Sequence, residues 1–179
     1  MNDFSDSVIR GIRRNLLAWY RREARDLPWR RTRDPYAIWL SEILLQQTRV
    51  EQGIPFYERF LKAFPTVADL AAADEEHVLK AWEGLGYYAR ARYMHKAAKL
   101  IVSERGGRLP ATVEEWQTLP GVGRYSAGAI VSIAHGRRAP ILDGNVKRVL
   151  ARLLDLEESI DDHATTQAMW DRAERLVPA

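Results

Sequence analysis

The sequence predicts an all-α protein. Three observations carry that prediction. Apolar residues recur at helical spacing in nearly every segment, no stretch alternates polar and apolar residues as a half-buried strand would, and helix-start and helix-stop residues follow one another closely along all 179 residues. Helices this short and closely spaced suggest a compact array rather than a long coiled coil. The length fits one domain, although a helical chain of this size often divides its core between two lobes. Since no flexible linker or internal repeat stands out, two lobes would have to arise by chain crossing. An N-terminal helix (residues 1–28) and the C-terminal helices (136–179) would form one, and the central helices (29–135) the other.

Each element has its punctuation. In "DPYAIWLSEILLQQT", Asp34 is an N-cap and Pro35 takes the first helical position, where its missing N–H costs nothing. Thr66 and Asp69 form a capping-box variant ahead of "TVADLAAA", and Asp74 opens "EEHVLKAWEGLG" before Gly84 and Gly86 stop it. "YARARYMHKAAKLIVSERGG" closes at Gly106 and Gly107. Thr112 with Glu115 caps "VEEWQTL", after which "PGVG" turns into "RYSAGAIVSIAHG". Asp143 precedes "NVKRVLARLL", and Asp161 or Asp162 precedes "HATTQAMWDRAERLV".

A hydrophobic fraction of 46% is enough for a core, and no window approaches the roughly 18 apolar residues of a membrane span. The N-terminus lacks a signal-peptide core, so the chain reads as soluble and cytoplasmic, without a membrane partner. With no cysteine, neither disulfides nor a Cys-ligated metal centre can form within these residues, and no metal site is expected in this chain. The net charge is only +3, but arginines crowd the first 33 residues, Arg90, Arg92, Lys96 and Lys99 follow a Gly-Tyr-Tyr, and Arg137, Arg138, Lys147, Arg148 and Arg152 bracket Asp143. Clusters of this kind suit phosphate, and they equally suit solvated helix faces.

Three stretches bear chemistry. In "LPGVGRYSAGAI" two glycines separated by one residue join a short helix to a longer one. Glycine permits the positive φ of a tight reversal and removes the side chain that would hold a phosphate away from the backbone. The amides of Gly121, Val122 and Gly123, with Arg124, would then meet an anion at the positive end of the helix. The pattern resembles the helix-hairpin-helix motif of DNA repair proteins, here over residues 112–135, with Ala127 and Gly128 as the small residues that let its helices pack closely. A ligand-free αα-corner is the alternative. Asp143 is a helix cap on any reading, and it is also placed where helix-hairpin-helix glycosylases keep an aspartate facing the flipped nucleotide. Glu42 lies among Ile38, Trp39, Leu40, Ile43, Leu44 and Leu45. On a helix apolar nearly all round, a buried carboxyl without a cation partner has its pKa raised and can donate a proton near neutral pH.

Taken together, "LPWRRTRDPYAIWLSEILLQQT", "GLGYYARARYMHKAA", "LPGVGRYSAGAI" and "ILDGNVKRVLAR" resemble the N-terminal catalytic part of MutY-type adenine DNA glycosylases. The resemblance implies a helix-hairpin-helix glycosylase fold of two helical lobes with a DNA-binding cleft. It implies a double-stranded DNA partner carrying adenine opposite 8-oxoguanine, and a bacterial, nucleoid-associated location. By the same resemblance Glu42 protonates adenine at N7, Asp143 stabilises or traps the sugar cation, Asn145 orients Asp143, and Tyr125 contacts the reacting nucleotide. Trp29 and Arg30 help form the adenine pocket. Leu45, Gln47, Thr48 and Tyr87 surround or replace the opposing base, though one of Tyr87 and Tyr88 suits a core position as well. Lys147 joins the hairpin in binding phosphate. Bifunctional relatives of the endonuclease III type carry lysine where this chain has Tyr125, so a monofunctional glycosylase is implied.

The sequence also departs from that pattern. Members of the family usually continue into a four-cysteine loop holding a 4Fe–4S cluster and then into a domain that reads 8-oxoguanine. Here the sequence reaches "ERLVPA" without a cysteine, which suggests a truncated form with Val8, Ile12, Leu16 and Trp19 short of packing partners. Weak stability or oligomerisation and poorer opposite-base discrimination are then expected. A glycosylase for another mismatch, such as thymine opposite guanine, and a DNA-binding fragment without turnover are the competing readings. The sequence leaves open the oligomeric state and whether a monovalent cation sits under the hairpin carbonyls.

Overall fold

A computed structural model describes residues 4–178. Among them the secondary structure is helical throughout: α1 (Asp6–Glu23), a 3₁₀ turn (Pro28–Arg30), α2 (Pro35–Leu44), α3 (Val50–Ala63), α4 (Val67–Ala72), α5 (Glu75–Trp82), α6 (Ala89–Arg105), α7 (Val113–Gln117), α8 (Arg124–His135), α9 (Gly144–Leu154) and α10 (His163–Leu176). The chain divides into two compact units. One holds α1, α9 and α10; the other runs from Asp26 to Gly136 and holds the 3₁₀ turn with α2 to α8.

The capping residues fall as the sequence predicts. Asp34 accepts from the Tyr36 N–H with Pro35 at the start of α2, and both Thr66/Asp69 and Thr112/Glu115 form complete capping boxes. Of the two aspartates before α10, Asp162 is the cap, accepting from the Thr165 N–H at 3.1 Å. Asp74 holds the N-cap position of α5 without a side-chain capping bond. Gly106 and Gly136 end α6 and α8 in the left-handed conformation.

Two boundaries differ from expectation. Helix α2 stops at Leu44, so "LQQT" is a turn and not helix. Helix α3 spans a stretch whose Gly53 and Pro55 disguise it. Gly53 packs closely, since a Cβ there would meet the Leu44 and Leu45 Cδ2 atoms at 2.8 and 3.0 Å and those side-chain ends would have to shift.

In the Asp26–Gly136 unit α2 is the central rod. It packs against α8, α3, α6 and the 3₁₀ turn, and Ile38, Trp39, Leu40 and Leu44 are fully buried. Trp39 meets Trp116 of α7 at a ring distance of 5.4 Å, while Phe60 packs edge-on against Phe64 and Trp82. Helix α4 lies on α6, where His95 Nε2 donates to the Ala73 carbonyl at 3.0 Å.

The other unit is smaller. Leu142, Leu150 and Leu154 pack with Met169, Trp170 and Ala173. Arg13 of α1 donates to the carbonyls of Arg175, Leu176 and Val177 at 2.6, 3.0 and 2.9 Å, satisfying the acceptors left over at the end of α10. Of the α1 residues expected to lack partners, Val8, Leu16 and Trp19 are exposed and Ile12 is half-buried; Ile9 is the residue of α1 that reaches the core.

The two hairpin glycines have unequal roles. Gly121 has φ +77°, and a Cβ there would lie 2.7 Å from Tyr93 Cβ; Gly123 is the N-cap of α8 at φ −87°, with open space around its Cβ position. Gly121→Ala is therefore expected to lower the unfolding free energy by about 2 kcal/mol or more and Gly123→Ala by about 1 kcal/mol or less. Urea denaturation of the two variants compares them, and equal losses would contradict the assignment.

Candidate functional site

The hairpin is built from its caps inward. Glu115 accepts from the backbone N–H of Ala111 and from Arg105, which together hold its carboxyl below the ordinary glutamate range and anchor α7. Leu119 and Val122 are buried beneath the turn, leaving Gly121, Gly123 and Arg124 exposed. The first N–H groups of α8 follow directly, and helix geometry leaves them without intrahelical acceptors. Ala127 and Gly128 are buried, as close helix packing requires. Tyr125 sits half-buried in the first turn of α8. Positive φ is confined to Gly121; Gly123 contributes the absence of a side chain and not a left-handed turn.

At the end of α2 the structure adjusts the expected picture. Glu42 is half-buried between the buried Ser41, Ile43 and Leu44, so it is not the fully buried carboxyl that the apolar sequence suggests. It occupies the one open strip of an otherwise enclosed helix. Leu45 is half-buried, the Gln46 amide donates to Ser126 Oγ at 3.3 Å, Gln47 is exposed and Thr48 is half-buried. Gln47 has φ +58° and Tyr87 has φ +47°. Left-handed non-glycine residues cost of order 1–2 kcal/mol each and persist only where their surroundings force them. Tyr87 is 62% exposed and Tyr88 38%, so neither tyrosine is a core residue.

The adenine-pocket pair separates. Arg30 is exposed, whereas Trp29 is a core residue, edge-on to Tyr57 at 5.3 Å. Arg90, which the sequence places in a basic cluster, is turned inward onto carbonyls at the end of α2. Its local sequence could not announce this, because four of its five acceptors, on Ile43, Leu44, Gln46 and Thr48, lie more than forty residues earlier in the chain.

In the other unit Asp143 caps α9. Its Oδ1 accepts from the Val146 N–H at 2.7 Å and its Oδ2 from Asn145 Nδ2 at 2.9 Å; Asn145 Oδ1 in turn accepts from Arg148 at 2.5 Å. The carboxylate is thus fixed in direction by its own helix and by a side chain two residues on. Lys147, expected among the phosphate-binding residues, donates its ammonium to the Ile160 carbonyl at 2.9 Å and Thr166 Oγ1 at 3.1 Å, tying α9 to α10. Arg148, exposed on the same turn, extends this chain of bonds, and its spacing of three from Asn145 is the sequence signal for the contact.

Among the described residues there is no group of three or more His, Cys, Asp or Glu placed to hold a metal ion. With no cysteine among the 179 residues, this donor set does not fit a 4Fe–4S cluster.

One unit thus carries a helix-hairpin-helix turn with exposed glycines and a half-buried carboxyl on an enclosed helix, and the other carries an aspartate fixed at a helix mouth. Residues 40–175 match the HhH-GPD superfamily of base excision DNA repair proteins, and the chain belongs to that family. It is 45% identical to the adenine DNA glycosylase of Rattus norvegicus over 97% of its own length, spanning 36% of that relative. It is 39% identical to the thymine-DNA glycosylase of Aeropyrum pernix over 95% of its length and 77% of that protein. Among solved structures, that of a thermostable thymine-DNA glycosylase superposes with a TM-score of 0.87 at 29% identity, covering 98% of this chain and 81% of the other. The chain thus spans about a third of the length of the adenine-directed relative.

Capping and chemistry at Asp143 can be told apart. Asparagine caps as well as aspartate, whereas alanine does not. Asp143→Ala is expected to lower stability by about 1 kcal/mol and Asp143→Asn to leave it within about 0.5 kcal/mol of wild type in thermal or urea unfolding. A large loss in both would mean that the charge itself holds the helix.

Proposed function

We propose that the chain is a monofunctional glycosylase of base excision repair that hydrolyses the N-glycosidic bond of adenine mispaired with 8-oxoguanine or guanine in double-stranded DNA. The observation that carries this reading is Glu42, the only carboxyl on α2, at the open strip of an enclosed helix and one turn before Gln47. Adenine is a poor leaving group unless its ring is protonated, and a carboxyl at the rim of an apolar core is suited to supply that proton.

In the proposed reaction the hairpin amides from Gly121 to Gly123, with Arg124, hold a phosphate while adenine leaves the stack. Arg30 borders the base. Leu45, Gln47, Thr48 and Tyr87 occupy the vacated position and face the opposing base. Glu42 donates its proton to N7, and the electrons of the C1′–N9 bond leave with the base. Asp143, oriented by Asn145, stabilises the cationic sugar or bonds to C1′, with Tyr125 against the nucleotide. Glu42, now a carboxylate, takes a proton from the water that completes hydrolysis. Tyr125 has no amine with which to form a Schiff base, which supports base release without strand cleavage.

A second reading, thymine opposite guanine, is supported by the Aeropyrum pernix relative, of which this chain covers the greater part. A panel of single-turnover reactions decides between the two, using duplexes with adenine opposite 8-oxoguanine, adenine opposite guanine and thymine opposite guanine, each scored for strand breaks before and after alkali. Adenine release revealed only by alkali is expected. Glu42→Gln and Asp143→Asn are each expected to slow it by about 10²–10⁴-fold while gel-shift affinity is kept. Preferential thymine release would favour the second reading, and binding without release of either base would reduce the chain to a DNA-binding part.

A further inference from the structure

Arg90 lies where the turn after α2 meets the turn before α6. Its Nη1 is directed at the carbonyls of Ile43 (3.2 Å), Leu44 (2.9 Å) and Gln46 and at Thr48 Oγ1 (3.3 Å), and its Nη2 at Thr48 Oγ1 and the Gly86 carbonyl, both at 3.4 Å. The acceptors outnumber the hydrogens of the two terminal nitrogens, so the bonds are shared and the group is drawn to the centre of the set. The guanidinium carbon is also 5.4 Å from the Tyr87 ring centre and 5.5 Å from that of Trp82. Trp82 Nε1 donates to the same Gly86 carbonyl at 3.2 Å. With these inward partners, Arg90 is not the phosphate ligand that its place in a basic cluster suggests.

The two left-handed non-glycine residues of this unit flank these bonds. Gln47 follows the Gln46 carbonyl directly, and Tyr87 follows that of Gly86. Each turn on its own would relax toward an unstrained conformation; one planar cation binding both holds them together. From this we infer that Arg90 is a positioning residue which clasps the two turns so that Gln47 and Tyr87 are presented to DNA as a single wedge. The inference rests on the proposed entry of those two side chains into the duplex. Lysine carries the same charge but lacks the planar fork, so it cannot span Gln46, Thr48 and Gly86 together.

The test is a titration of the full chain into a duplex with 2-aminopurine stacked beside the mismatch, whose fluorescence rises on unstacking. Wild type is expected to raise the signal. Arg90→Lys and Arg90→Gln are expected to cut the rise to below about half, with helix content by circular dichroism and affinity for matched duplex unchanged. Combining Arg90→Lys with Tyr87→Ala is expected to lose no more than Tyr87→Ala alone, the mark of two residues acting as one unit. A full rise in both folded Arg90 variants, or losses that multiply in the double variant, would overturn the clasp while leaving the glycosylase reading intact. No rise with wild type would overturn the wedge and the clasp together, whether or not base is released.

Discussion

The enclosure of α2 is the constraint from which the rest of the Asp26–Gly136 unit follows. Eight of its ten residues are buried, and the fully buried Ile38, Trp39, Leu40 and Leu44 each contribute on the order of 1.5–3 kcal/mol. A helix held from so many sides cannot shift or roll. Glu42, on the remaining strip, therefore has a fixed outlook, and the turn that begins at Leu45 starts from a fixed point. Helix α8 packs directly on α2, so the hairpin is referred to the same rod.

Rigidity of the rod allows strain at its end. Two non-glycine residues in the left-handed region would destabilise an isolated turn, yet here they sit beside a half-buried guanidinium that satisfies the carbonyls around them. Burial pushes the pKa of Arg90 down, but a guanidinium remains charged at any physiological pH. The smaller unit uses the same chemistry for stability, with Arg13 bound to carbonyls that the end of α10 leaves over and Lys147 bound to the Ile160 carbonyl in the loop before α10. Basic residues that would count toward a DNA-binding face from the sequence alone are in these places internal staples.

The fold was legible because helix punctuation is local. Asp34 with Pro35, the Thr66 and Thr112 boxes, Gly106, Gly136 and Asp143 each act within four residues of themselves, and each is found at the end it was expected to mark. Helix α3 was not legible, because Gly53, packed against the Leu44 and Leu45 side chains, reads locally as a breaker. The bond by which Asn145 orients Asp143 was legible, because it spans two residues. It was not legible at Arg90, Lys147 or Trp29. What each of these touches lies elsewhere in the chain: the end of α2, the start of α10, and Tyr57. Glu42 shows the limit of composition: apolar neighbours in sequence buried its helix, but its own angle on that helix left it partly open.

The account stands or falls on where the flipped base goes. The most direct measurement is a crystal structure of this chain on a duplex whose target adenosine carries a 2′-fluorine, which withdraws electrons from the sugar and halts the reaction before C1′–N9 cleavage. The account predicts adenine outside the stack with N7 within hydrogen-bonding distance of Glu42, and Gln47 and Tyr87 in the gap it leaves. An adenine still paired in an undisturbed duplex, or one extruded away from Glu42, would contradict it.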